Sequence, residues 1–193
     1  MPTYITYKPF GMLSQFTKEA EQHVTLKDLD FTFSKDVYPV GRLDADSEGL
    51  LILTDNRALN AKLLHPQYKQ PKIYWAQVEG EPKVVDLLPL QKGIAINING
   101  KMHVTAPAKV GLLHTEVSLP ERDPPIRFRK NSPTTWIEIS ITEGKNRQVR
   151  KMLAAIGFPV LRLVRVGIAG LFLNQDTLKD LAVGEVRQIE LTF

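Results

Sequence analysis

The sequence predicts an α+β fold: a largely antiparallel sheet with helices packed on it. Short alternating runs recur along the 193 residues, among them Thr3 to Tyr7, Lys72 to Gly80 and Trp136 to Thr142. Helical stripes lie between them, the clearest being Val149, Met152, Leu153 and Ile156 at i, i+3, i+4 and i+7. Strands and helices do not take regular turns, so no βαβ rhythm asks for a parallel sheet.

Along the chain, Thr3 to Tyr7 is a strand broken by Lys8-Pro9-Phe10-Gly11, a turn signal. Thr25 is placed to cap a short helix through Leu26 and Leu29. Val37 to Val40 and Leu50 to Leu53 are expected strands, the second short, apolar and suited to burial. Asn56 opens a helix with Leu59, Leu63 and Leu64 on one face, and Pro66 ends it. A second helix is expected over Pro82 to Leu90, ended by Gly93. Strands follow at Ile94 to Ile98, Met102 to Lys109 and Leu113 to Leu119. Asn99-Gly100 between the first two is a strong hairpin cue. After Trp136 to Thr142 comes a helix capped by Asn146. Val160 to Val166 is the next strand, with Leu161, Leu163 and Val164 as its inward residues. Leu171 to Leu173 and Val186 to Leu191 are further strands, with a short helix at Thr177 to Leu181 between them.

The length suits one domain, residues 1–193, or two closely joined halves, and 43% apolar residues supply a core. The chain has no cysteine, which removes disulfides and thiolate metal sites and is compatible with a bacterial cytosol. Lys8 and Pro9 arrive before any apolar leader can form, and no stretch approaches the roughly 20 apolar residues that span a bilayer. A net charge of +4 favours an anionic partner only mildly, so the clustering of the charges matters more.

The densest polar stretch is Gly41-Arg42-Leu43-Asp44-Ala45-Asp46-Ser47-Glu48-Gly49, directly before the apolar run. It reads as a tight turn at a strand's edge. A carboxylate beside a guanidinium, as Asp44 is beside Arg42, stays ionised and serves as nucleophile, base or charge stabiliser. The plain alternative is a charged connection between two strands. A calcium loop is a poorer fit, because Ile52 stands at a ligand position and the closing residue is Asp55 rather than Glu.

Positive charge gathers in two places. Pro120 to Pro133 holds Arg122, Arg127, Arg129 and Lys130 with Pro124-Pro125. Arginines suit phosphate contacts and prolines reduce the entropy lost on binding, although such a cluster is often only a solvated loop. Arg147, Arg150 and Lys151 lie on a second face of the late helix, where the alternative is again a solvated charged face. In the Lys72 to Gly80 strand, alternation puts Tyr74 with Ala76 and Val78, which by pattern alone makes it a core tyrosine. His65 at a helix end gains from the dipole without needing a function.

Gly-Arg-Leu-Asp-x-Asp-Ser-Glu-Gly-Leu-Leu resembles the signature of the RsuA-type pseudouridine synthases, which isomerise uridine in ribosomal RNA. Lys8-Pro9-x-Gly11, Lys72-x-Tyr74-x-x-x-Val78-x-Gly80, Glu143-Gly144-Lys145-Asn146-Arg147-Gln148-Val149-Arg150-Lys151-Met152 and Gly184-Glu185-Val186-Arg187 extend the resemblance over nearly the whole chain. It implies a synthase fold with a central cleft and no RNA-binding module of the S4 type. It implies Asp44 as catalytic residue, Arg150 as its ionic partner, Arg42 as the group that displaces the base, Tyr74 as a stacking platform and Leu163 as support for the uracil. Arg127, Arg129, Lys130 and Arg147 become the expected RNA contacts. Pro-Pro-Ile-Arg-x-Arg-Lys followed by Pro-Thr-x-Trp looks like one branch of the family and points to 23S ribosomal RNA, naked or within an immature large subunit. Neither cofactor nor metal is expected, since the isomerisation is redox-neutral and no phosphate-loop motif is present. The chain is expected to act as a cytoplasmic monomer away from membranes. The competing functions are a catalytically silent RNA-binding or assembly protein on the same fold, and a synthase acting on small-subunit or transfer RNA.

Overall fold

The computed structural model describes residues 1–68, 70–126 and 132–191. In chain order the elements are β1 (Thr3–Lys8), β2 (Tyr38–Pro39), β3 (Glu48–Thr54), α1 (Arg57–Leu64), β4 (Lys72–Glu79), α2 (Val84–Lys92), β5 (Ala95–Ile98), β6 (Lys101–Val104), β7 (Lys109–Leu112), β8 (Thr134–Ile141), α3 (Gln148–Ala155), β9 (Val160–Ile168), β10 (Leu171–Phe172) and β11 (Val186–Ile189). Single 3-10 turns lie at Leu26–Asp28, Pro66–Tyr68 and Asp176–Leu178. The chain divides into two compact units. The first comprises Met1–Gln70 with Arg165–Phe193, the second Pro71–Val164, so β9 contributes residues to both. No helix among the described residues is long and apolar enough to cross a membrane.

In the first unit β1 lies between β11 and β3, antiparallel to both, with Ile5 opposite Arg187 on one side and Ile52 on the other. β2 pairs with the far end of β3, and β10 folds back on β9. All seven residues of β3 are buried, which explains why its sequence is a continuous apolar run instead of an alternation. Leu51 and Leu53 pack with Met12, Leu26, Leu29 and Val37, and Tyr4, Phe16 and Phe33 close over them. The aromatic rings meet edge to face, Phe16 and Phe33 at 5.4 Å and Tyr4 and Phe33 at 5.6 Å. Thr25 and Asp28 bond reciprocally and fix the 3-10 turn. The Asn56 side chain accepts from Leu59 N–H at 3.0 Å and starts α1 where its sequence predicts. Leu59 and Leu63 of α1 are buried, but Leu64, the last residue of the helix, is 40% exposed and does not join the expected face.

In the second unit β4 and β8 form an eight-residue antiparallel ladder, and β7 extends it. Tyr74, Ala76 and Val78 share the buried face of β4, and Ile137, Ile139 and Ile141 that of β8. β5 and β6 form the expected hairpin, with Asn99 and Gly100 both at positive φ, the conformation their turn requires. α2 is two residues later than predicted at both ends, with Asp86 accepting from Lys83 N–H at its start. α3 begins after Arg147, one residue beyond the expected Asn146 cap, and buries Val149, Met152 and Leu153. Leu113 to Leu119 is not a strand. Leu113 N–H still reaches Trp136 C=O, but the chain then leaves β8 and its alternation finds no ladder. The helix expected at Thr177 to Leu181 is only the 3-10 turn.

The antiparallel α+β class predicted from the sequence therefore stands, but the strand expected over Met102 to Lys109 ends at Val104, and the chain pairs again only as β7 at Lys109–Leu112, after Thr105 has turned back to bond Ile94.

Candidate active site

Asp44 sits in the turn between β2 and β3, half-buried, with Ser47 N–H donating to its carbonyl at 3.0 Å. The turn is fastened to the segment that follows β1. Gly11 N–H donates to Ala45 C=O at 2.7 Å. The Ser14 hydroxyl donates to Leu43 C=O at 2.9 Å and accepts from Leu43 N–H at 3.1 Å, a two-way bond that fixes one residue on both sides. Lys8 lies beneath, fully buried. Its Nζ donates to Met12 C=O at 2.7 Å, Pro9 C=O at 2.9 Å and Ala45 C=O at 3.4 Å, using all three donors on backbone. Burial pulls the Lys8 ammonium down to about 8, against the opposing pull of Glu48, Asp46 and Asp44, while Arg165 adds to the lowering.

Glu48 is buried as β3 begins and accepts from the Tyr7 hydroxyl at 3.4 Å. Arg165, 2% exposed, donates from Nε to Leu50 C=O at 2.7 Å, and its Nη2 is enclosed with no hydrogen-bond partner among the described residues. Gly49 makes this possible. Its φ is +102°, and a Cβ there would overlap the Arg165 carbonyl. The first unit thus sets three carboxylates, Asp44, Asp46 and Glu48, around two buried cations. Arg42 is exposed at the rim and has no hydrogen bond or ion pair among the described residues.

The second unit holds Tyr74, Arg150, Leu163 and Arg147. Tyr74 is 8% exposed and stands opposite Ile139. Leu163 is buried on β9. Arg150 projects from the first turn of α3 and donates from Nη1 to Val160 C=O at 3.1 Å. Arg147, exposed and at φ 53°, precedes the helix. This loop has its own fastening. Glu143 Oε1 accepts from Ala106 N–H at 2.8 Å and from the Gln148 amide, while Gln148 Oε1 accepts from Lys145 N–H at 2.9 Å. His103 of β6 meets Glu143 Oε2 at 3.1 Å. Arg127, Arg129 and Lys130 lie outside the described residues.

Sequence reasoning finds Asp44 and Arg42 side by side but misses the residues that fasten them. Lys8 reads as the start of a turn and of a recognised motif, with no sign that it is buried, and Ser14 is not singled out at all. Arg165 reads as one of two cations in an apolar strand, where its charge is the available signal. Glu143 and Gln148 belong to a recognised motif, but their bonding is not legible in spacing.

A family model described as RNA pseudouridylate synthase matches residues 2–155. The chain belongs to this family of RNA-modifying isomerases. Among its relatives, the ribosomal large subunit pseudouridine synthase E of Vibrio vulnificus is 50% identical over 184 residues, 95% of this chain and 73% of the relative. The protein of the same name from Xanthomonas axonopodis pv. citri is 52% identical over 162 residues, 83% of this chain and 82% of the relative. A crystallised pseudouridylate synthase at 23% identity shares the fold, with a TM-score of 0.75 over 98% of this chain and 70% of that one.

Proposed function

We propose that the chain converts a uridine of 23S ribosomal RNA to pseudouridine, as a cytoplasmic monomer working on free RNA or on an immature large subunit. The observation that carries the reading is the fastening of the Asp44 turn. Lys8 and Gly11 hold the Ala45 carbonyl and Ser14 holds Leu43, so the backbone on either side of Asp44 is fixed before any substrate arrives. Large-subunit RNA is taken from the names of the relatives that align over most of this chain.

The target base leaves its stack, because the glycosidic bond and C5 are otherwise out of reach. Asp44 acts on the nucleotide as nucleophile or base while the bond from N1 to C1′ breaks. The uracil turns, C5 bonds to C1′, the C5 proton leaves and N1 takes one up, so the product is an isomer and the step needs no redox partner or energy donor. Arg150 is the ionic partner of Asp44, Arg42 displaces the base and fills its place, Tyr74 stacks on the uracil and Leu163 closes the pocket. Arg127, Arg129, Lys130 and Arg147 contact the RNA backbone.

The test is tritium release from 23S transcript labelled at uracil C5. Wild type is expected to release label and Asp44→Asn to release none. Tight RNA binding by both proteins without release, on naked RNA and on immature particles, would leave only an RNA-binding protein. Reversing the charge of Arg127 and Arg129 should weaken binding and flatten its salt dependence; unchanged affinity would remove that loop from the interface.

A further inference from the structure

The first unit contains a cavity of about 460 Å³ whose wall includes Arg42 but not Asp44. Its size falls within the range of small-molecule sites. Phe16, Tyr38 and Leu64 supply flat and apolar surface, Thr17 a hydroxyl and Asn60 an amide. Among the described residues, Arg42 is the one charged member of the wall and no carboxylate lines it. An exposed guanidinium with no partner among the described residues, two rings and a few neutral polar groups form the set that takes a planar base with its phosphate. Leu64, solvated at the end of α1 instead of packed, gains cover from such a ligand.

We propose that this cavity is a specificity subsite that takes one unpaired nucleotide flanking the target uridine, its base against Phe16, Tyr38 and Leu64, with Arg42 at its edge. The inference rests on the isomerase reading above. The target itself does not belong here, because the reacting nucleotide must touch Asp44. The flanking nucleotide does belong, because Arg42 and Asp44 are two residues apart on one fastened turn, about the reach of one nucleotide step. Occupation would tell one uridine from another by the identity of its neighbour, and it would hold the strand while Arg42 stands in the gap left by the displaced base.

The experiment is tritium release from a 23S fragment carrying an abasic nucleotide at each position around the target in turn. Wild type is compared with Tyr38→Ala, which empties the cavity, and Leu64→Trp, which fills it from an exposed position and leaves the core alone. One abasic position is expected to raise the wild-type KM about ten-fold. At that position the two variants, already impaired on intact RNA, lose less than about two-fold more. Equal abasic costs in wild type and Leu64→Trp at every position would overturn the subsite while the isomerase stands. No release by wild type from the intact fragment would overturn the isomerase reading, and the subsite with it.

Discussion

The turn that carries Asp44 is fastened from beneath by an ammonium, and the loop that carries Arg147 into α3 is fastened by a carboxylate. Lys8 gives three hydrogens to carbonyl oxygens of its own neighbourhood, whereas Glu143 receives hydrogens from Ala106 and Gln148. Each anchor is opposite in sign to the charge its loop displays. The two differ in depth. Lys8 has no exposed surface, while Glu143 and His103 keep 21% and 31% of their side chains in contact with solvent. The same device should therefore carry more energy in the first unit than in the second.

The sharpest way to break this comparison is Gly49→Ala. The new methyl would overlap the Arg165 backbone at a φ that disfavours any side chain, so a loss of about 3 kcal/mol or more is expected in urea unfolding. A variant within about 1 kcal/mol of wild type would show that β3 and Arg165 are not locked as described.

Next in size is Lys8→Met, expected to cost about 2–4 kcal/mol at pH 7 by leaving carbonyls without donors and three carboxylates without their buried cation. Lys8 also predicts a pH signature. Its folded pKa of about 8 lies below that of the unfolded chain, so between the two values the unfolded state binds more protons. Wild-type stability should rise through pH 8 to 10 relative to Lys8→Met, widening the gap by up to about 3 kcal/mol. A constant gap would mean the ammonium is not desolvated.

Glu143→Ala should cost less, about 1–2 kcal/mol, and should loosen the start of α3, read as faster amide exchange at Gln148 to Arg150. A penalty above that of Lys8→Met would reverse the proposed order of the two anchors. The smallest effect belongs to His103→Ala, within about 0.5 kcal/mol, because the partly solvated pair is screened.

The two units were not equally legible. Position and type of most elements follow from alternation, capping residues and turn pairs, as Asn56, Asn99-Gly100 and the α3 stripe show. The polar turn was legible too, because Arg42 and Asp44 stand two residues apart in a compact motif. What stayed hidden is burial against the grain of chemistry. Spacing does not reveal that Lys8 is drier than Leu64, because a lysine's position depends on which carbonyls the fold brings within reach. Arg162 and Arg165 point to opposite sides of β9 and are both buried, so alternation cannot sort them. Leu113 to Leu119 has strand chemistry but no ladder to join, and pairing is a property of the partner as much as of the segment.

Arg165 is 115 residues from Leu50 along the chain, and the first unit is built from both ends of the sequence. During synthesis the Asp44 turn leaves the ribosome before the second unit, with β1 and β3 able to pair at once. The buried guanidinium that locks β3 and the strand that covers the other side of β1 emerge only after the whole second unit has been made. Until then β1 offers an open edge that can recruit another chain, and the carboxylates lack one of their two cations. The Asp44 turn is therefore made before the second unit and finished only after it.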